Sequence, residues 1–178
     1  PSDLIIIAAR PAMGKTAFIL SMAKNMAVDY NSPVAVFSLE MSNVQLVNRL
    51  IMNVCQLEGE KIKNGQLDKY EWEKFDKDIN LLLDAPIYVD DTPSLSIFEL
   101  RSKARRLVKE HKIQCIIIDY LQLMNASGMS FGSREQEVSI ISRSLKGLAK
   151  ELDIPIIALS QLNRGVEGRT GIEGKRPQ

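Results

Sequence analysis

The sequence predicts an α/β fold: a mostly parallel, twisted sheet flanked by helices on both faces. Three observations carry that prediction. Five short apolar runs rich in Ile and Val recur along the 178 residues. Each is followed by helical periodicity or by a turn. Strand and helix therefore alternate, and such alternation closes into an open sheet through right-handed crossovers.

The runs are Leu4 to Ala8, Val34 to Ser38, Ile87 to Asp90, Cys115 to Asp119 and Pro155 to Ser160. Consecutive rather than alternate positions are apolar, the pattern of strands buried on both faces. Between them, Thr16 to Val28 is apolar around most of its circumference and is expected to be sandwiched. Ser42 with Gln45 and Ser96 with Glu99 have the spacing of a capping box, opening helices that run to Val54 and Lys112. A third pair, Ser133 with Gln136, opens a long helix to about Leu152, in which Val138, Ile141, Leu145, Leu148 and Leu152 recur at helical spacing. The stretch from Glu58 to Leu83 is more polar, with one helix expected around Asp68 to Leu82 that Trp72 and Phe75 dock on the core. Loops are expected at Asn125 to Gly132 and from Asn163 onward, where Gly165, Gly168, Gly171 and Gly174 lack the prolines of a collagen repeat.

Length and composition suit one soluble globular domain, 45% hydrophobic and 25% charged. The 23 basic and 22 acidic residues leave a net charge of +1, so bulk charge does not advertise nucleic-acid binding; such contacts must come from a local patch or a ring of subunits. Cys55 and Cys115 lie inside apolar runs, which points to a reducing compartment rather than a disulfide framework. No stretch approaches the ~20 apolar residues of a membrane span, and the cytosol is the expected location. The chain begins directly before an apolar strand and stops in what reads as mid-loop, so it is expected to be a fragment of a longer protein.

The chemistry concentrates at Ala9-Arg10-Pro11-Ala12-Met13-Gly14-Lys15-Thr16. A strand delivers the chain to the sheet edge, a tight loop exposes backbone N–H groups, and a helix presents its positive N-terminus to phosphate. In such a loop Lys15 neutralises the β- and γ-phosphates and the Thr16 hydroxyl ligates Mg²⁺. Ala9 stands where the general pattern has its first glycine.

Three further residues follow apolar strands. Asp119 ends the run from Cys115 and, beside a phosphate loop, suits the carboxylate that holds Mg²⁺ through its water shell. Glu40 lies two residues past a strand and admits two readings. It is a carboxylate that orients and deprotonates an attacking water, or a first-turn glutamate favoured by the helix dipole. Gln161 follows the last strand and is either a γ-phosphate contact or a loop amide without a role. His111, the single histidine, sits near a helix end, where it complements the dipole. No Cys/His cluster has metal-ligand spacing.

These stretches, with Phe37-Ser38-Leu39-Glu40-Met41, Ile117-Ile118-Asp119-Tyr120-Leu121-Gln122-Leu123, Arg134-Glu135-Gln136-Glu137-Val138 and Ala158-Leu159-Ser160-Gln161-Leu162-Asn163-Arg164, closely resemble the C-terminal motor domain of the DnaB family of bacterial replicative DNA helicases, a branch of the RecA-like phosphate-loop ATPases. The resemblance runs essentially end to end, and alanine at the first loop position is normal in that family. It implies phosphate and Mg²⁺ positions at Lys15 and Thr16, a catalytic glutamate at Glu40, the Mg²⁺-holding aspartate at Asp119 and a γ-phosphate sensor at Gln161. Further implications are ATP with Mg²⁺, a homohexameric ring, 5′-to-3′ movement on single-stranded DNA, and primase and helicase-loader partners. Arg164, Arg169 and Lys175 fall in a segment that faces the central channel in that family. From Asn163 onward, Arg164, Arg169, Lys175 and Arg176 outnumber Glu167 and Glu173, an electrostatic track for phosphates when repeated around a pore. The family also has an N-terminal collar and an arginine finger beyond this stretch, so the piece alone is expected to bind nucleotide, hydrolyse it slowly and not unwind DNA. A RecA- or RadA-like recombination ATPase shares the loop and the glutamate, and a non-hydrolytic module would share the loop alone.

Overall fold

The structure, a computed structural model, describes residues 1–125 and 133–162. Five strands form one parallel sheet: β1 (Leu4–Ala9), β2 (Val34–Ser38), β3 (Ile87–Asp90), β4 (Cys115–Asp119) and β5 (Ile156–Gln161). Their spatial order is β1-β5-β4-β2-β3. Six α-helices connect them: α1 (Lys15–Lys24), α2 (Asn43–Cys55), α3 (Gly59–Asn64), α4 (Lys69–Leu83), α5 (Ile97–His111) and α6 (Arg134–Leu152).

Period-two alternation along the strands builds a core on each face of the sheet. Ala35, Phe37, Ile116, Ile118, Ile156 and Ala158 point one way, against Leu100 and Ala104 of α5 and Ile141, Leu145 and Leu148 of α6. Val34, Val36, Cys115, Ile117, Ile157 and Leu159 point the other way, against Ile19 and Ala23 of α1. Leu20 turns from the sheet onto Leu46 and Leu50 of α2, so α1 is sandwiched as its sequence predicts. Each fully buried Ile or Leu contributes about 1.5–3 kcal/mol. A one-residue slip would exchange the two cores, which fixes the register. Cys55 and Cys115 are buried free thiols, and burial raises the Cys115 thiol to about 11.

The structure departs from the sequence prediction in four places. Burial on both faces holds for β2 and β4, but β1 and β3 form the edges of the sheet, and Ile5 and Ile6 of β1 stay 46% and 48% exposed. The helix expected to reach Val28 ends at Lys24 and continues as a π turn, Asn25–Asp29, closed by a 3.0 Å ion pair between Lys24 and Asp29. Helix α3 is additional. Trp72 does not dock α4 on the core: it is 49% exposed and meets Phe75 edge-on, with ring centroids 5.7 Å apart.

The Ser42 and Ser96 capping boxes are formed, and Ser133 Oγ accepts from the Gln136 N–H. Asp68 and Glu71 make another box at the start of α4. His111 ends α5 and stacks on Tyr88 of β3 at 4.2 Å. Among the described residues, no helix is long and apolar enough to cross a membrane.

Lys103 of α5 donates to Asp90 Oδ2 and Thr92 Oγ1, at 2.6 and 2.5 Å, tying α5 to the end of β3. Burial opposes ionisation of Asp90, yet its bonds to Lys103 and Thr92 hold its carboxyl below the ordinary 3.8. A depressed carboxylate stabilises the fold above its unfolded pKa and loses that contribution as pH falls through the folded one. Lys103→Met is therefore expected to cost about 1–2 kcal/mol at neutral pH. Urea titrations across pH should show the gap from wild type closing below about 3.8.

Candidate nucleotide site

The strand ends gather the residues singled out above. Beyond Ala9 the chain makes a tight turn in which Met13 N–H donates to Arg10 O at 3.4 Å. Ala12 and Gly14 both have positive φ, 60° and 78°. Gly14 immediately precedes α1 in the left-handed conformation, where a Cβ would be strained. A Cβ there would meet nothing within 4 Å, so the glycine answers to backbone conformation rather than crowding. Arg10, Pro11, Ala12 and Met13 form the outer rim, with Met13 exposed. Lys15 opens α1, and its Nζ donates to Ala9 O at 3.3 Å and Arg10 O at 3.2 Å, across the mouth of the loop. An ammonium has three donors, so one remains for an anion.

Thr16 Oγ1 donates to Asp119 Oδ2 at 2.8 Å, joining the start of α1 to the end of β4. Asp119 is 1% exposed. Burial pushes its carboxyl above the ordinary range; the Thr16 bond and the charges of Lys15 and Arg49 oppose that rise, and the Glu40 charge adds to it. Lys15, Glu40 and Arg49 thus all bear electrostatically on one buried carboxylate. The peptide bond between Asp119 and Tyr120 is cis.

Glu40 is placed by the way β2 ends. Ser38 pairs with Asp119 in the sheet register, and Leu39 N–H donates to Asp119 O at 2.7 Å. Ser38 Oγ then donates to Met41 O and accepts from Met41 N–H, closing a turn that leaves Glu40 exposed at its apex. Gln161 ends β5 in register with Ala9, the residue from which the loop departs, and Leu162 N–H donates to Ala9 O at 3.1 Å.

The donor set fits a hard divalent cation. Because the Thr16 hydroxyl donates to Asp119, its lone pairs stay available to a metal, and the carboxylate supplies the charge. Among the described residues, no group of three or more His, Cys, Asp or Glu could hold a metal unaided. Mg²⁺ commonly keeps several waters and binds through one or two protein oxygens plus substrate phosphates. Thr16 and Asp119 would hold it in that way.

Sequence reasoning assigned no role to Ser38, Arg49 or Gln122, which the structure brings into this constellation. Arg164, Arg169 and Lys175 lie outside the described residues.

A left-handed glycine before a helix, a lysine across the loop mouth and a hydroxyl–carboxylate pair at adjoining strand ends define a phosphate-loop nucleotide-binding domain. The model of the DnaB-like helicase C terminal domain matches residues 1–178, and the chain belongs to that family. It is 52% identical to the Nostoc sp. (strain PCC 7120) replicative DNA helicase DnaB over 178 residues, covering 99% of this chain and 20% of that protein. With the Geobacillus stearothermophilus replicative DNA helicase DnaB it shares 51% identity over 176 residues, covering 99% of this chain and 38% of the relative. The chain thus spans between a fifth and two fifths of these curated relatives. Two solved structures superpose with TM-scores of 0.85 at 38% identity, each over 99% of this chain. One is a DnaB-like replicative helicase described with its interactions with primase, of which 42% is covered; the other is a separately solved ATPase domain, of which 62% is covered.

Proposed function

We propose that this chain is the motor domain of a replicative DNA helicase: it binds ATP with Mg²⁺ and hydrolyses it to drive a hexameric ring 5′-to-3′ along single-stranded DNA. The observation that carries this reading is the meeting of Lys15, Thr16, Asp119 and Glu40 at the carboxyl ends of three parallel strands. Family membership and the replicative helicases among the relatives support it.

In the proposed reaction the backbone N–H groups from Arg10 to Thr16 cradle the phosphates, and Lys15 neutralises the β- and γ-oxygens. Bound Mg²⁺ supplies charge compensation on the same oxygens, with Thr16 and Asp119 as its protein partners. Glu40 orients a water and accepts its proton as the water oxygen bonds to the γ-phosphorus and ADP departs. Gln161, beside Ala9, contacts the γ-phosphate and registers its loss. Single-stranded DNA, a primase and a helicase loader are the proposed partners, and Arg164, Arg169 and Lys175 the proposed DNA contacts.

Forked-duplex unwinding by the full-length protein tests the reading. ATP-dependent strand separation is expected only when the fork offers a 5′ single-stranded tail. Strand exchange between homologous DNAs without unwinding would instead indicate a recombination ATPase.

A further inference from the structure

Beyond Asp119, β4 leaves the sheet. The chain passes through Tyr120 into a single 3-10 turn, Leu121–Leu123, and residue pairing between β4 and β5 stops at Ile118 and Ala158. Strand β5 runs on to Gln161 with β1 on one side and, among the described residues, no strand on the other.

The side chain of Gln122 takes the missing strand's place. Its Nε2 donates to Gln161 O at 3.1 Å and to Ser160 Oγ at 2.9 Å, while its Oε1 accepts from the Gln161 N–H at 3.2 Å. Both polar groups of the Gln161 backbone are thereby paired by one amide, which offers donor and acceptor in a single plane as a peptide does. The neighbouring N–H of Leu162 points the other way, to Ala9. Gln161 is thus held from two sides at the level where the phosphate loop begins. Gln122 is anchored in turn: Arg134, the first residue of α6, donates through Nη2 to Gln122 O and, at 3.0 Å, to Met124 O. Helix α6 is fixed to the sheet by Ile141, Leu145 and Leu148.

We infer that Gln122 is a positioning residue that holds Gln161 in place beside the phosphate loop, with Arg134 bracing the turn that carries it. The inference rests on the proposed reading of Gln161 as the γ-phosphate contact. Without Gln122 the end of β5 keeps only its β1 neighbour, and a displacement of about 1 Å at a reacting group can cost about 10²-fold in rate.

The test is a double-mutant cycle in the full-length protein, with Gln122→Leu, Gln161→Ala and the pair together, reading kcat and KM for ATP. Gln122→Leu is expected to lower kcat about tenfold or more, with KM within about twofold. In the Gln161→Ala background it should lower kcat no further, because the residue it positions is already gone. Gln122→Glu, nearly isosteric but without the donors to Gln161 O and Ser160 Oγ, should also lower kcat and serves if the leucine variant folds poorly. Equal losses in both backgrounds would mark Gln122 as merely structural and overturn the inference, as would wild-type kcat in both Gln122 variants. Full turnover in Gln161→Ala alone would instead overturn the reading of Gln161, and the inference with it.

Discussion

Glu40→Gln in the full-length protein should lower ATP turnover by about 10²–10⁴-fold, the usual contribution of a positioned general base. Glutamine matches glutamate in size and still accepts a hydrogen bond, but it takes no proton. Glu40 is exposed at the apex of a turn held by Ser38 and by the Leu39 bond to Asp119, so the change leaves the core and the strand ends intact. The phosphate contacts assigned to the loop and Lys15 are also untouched, and nucleotide affinity should change by less than about threefold, the behaviour of a group needed only in the transition state. Steady-state hydrolysis beside equilibrium binding of a fluorescent ATP analogue separates the two quantities. Unchanged turnover would leave Glu40 as a first-turn carboxylate and favour a non-hydrolytic module. A collapse of Mg²⁺-dependent affinity would make it a cation ligand instead.

Lys15→Met has the larger expected effect on binding. The Lys15 ammonium spans the loop mouth between the carbonyls of Ala9 and Arg10, where incoming phosphates would take up its donors. Hydrogen bonds involving charged groups are worth about 1.5–3 kcal/mol, which corresponds to roughly 10- to 150-fold in affinity. Turnover should fall further still, because charge on the transferred phosphoryl group is stabilised chiefly by such preorganised cations. Methionine retains most of the stem and Lys15 lies only partly buried, so the melting temperature should move little. Titration with the same fluorescent analogue and a thermal melt check both halves. Wild-type affinity in this variant would remove Lys15 from the phosphate site.

Much of the fold is legible in the sequence because its strands are runs of Ile and Val between turns and its helices open on paired caps. The predicted strand boundaries agree with the observed ones to within one residue. What the runs do not encode is neighbourhood. Leu4 to Ala8 reads much like Cys115 to Asp119, yet β1 is an edge strand and β4 is wholly buried, because burial depends on the order β1-β5-β4-β2-β3. Helix α3 escapes notice because it has six residues and buries none of them. Trp72 misleads for the opposite reason: size and hydrophobicity suggest a core contact, while α4 buries no residue fully and leaves that ring against Phe75.

The site divides in the same way. Lys15, Thr16 and Asp119 are recognisable because each directly follows a strand or loop of characteristic composition, and the structure joins Thr16 to Asp119 as that logic requires. Glu40 is ambiguous in sequence because a carboxylate at a helix start has an adequate explanation in the dipole alone. Its electrostatic reach to Asp119 emerges only when β2 and β4 lie side by side. Gln122 has no local signal. Its significance arises because β4 turns out of the sheet one step before β5 does, leaving the peptide of Gln161 for a side chain to pair.

The most direct test of a hydrolytic site with Glu40 as its base is the nucleotide retained by the full-length protein after incubation with ATP and Mg²⁺, separated from free nucleotide, quenched in acid and resolved by chromatography. Wild type should retain mainly ADP and Glu40→Gln mainly intact ATP, both dependent on Lys15. The same ADP-to-ATP ratio in the two proteins would contradict the account.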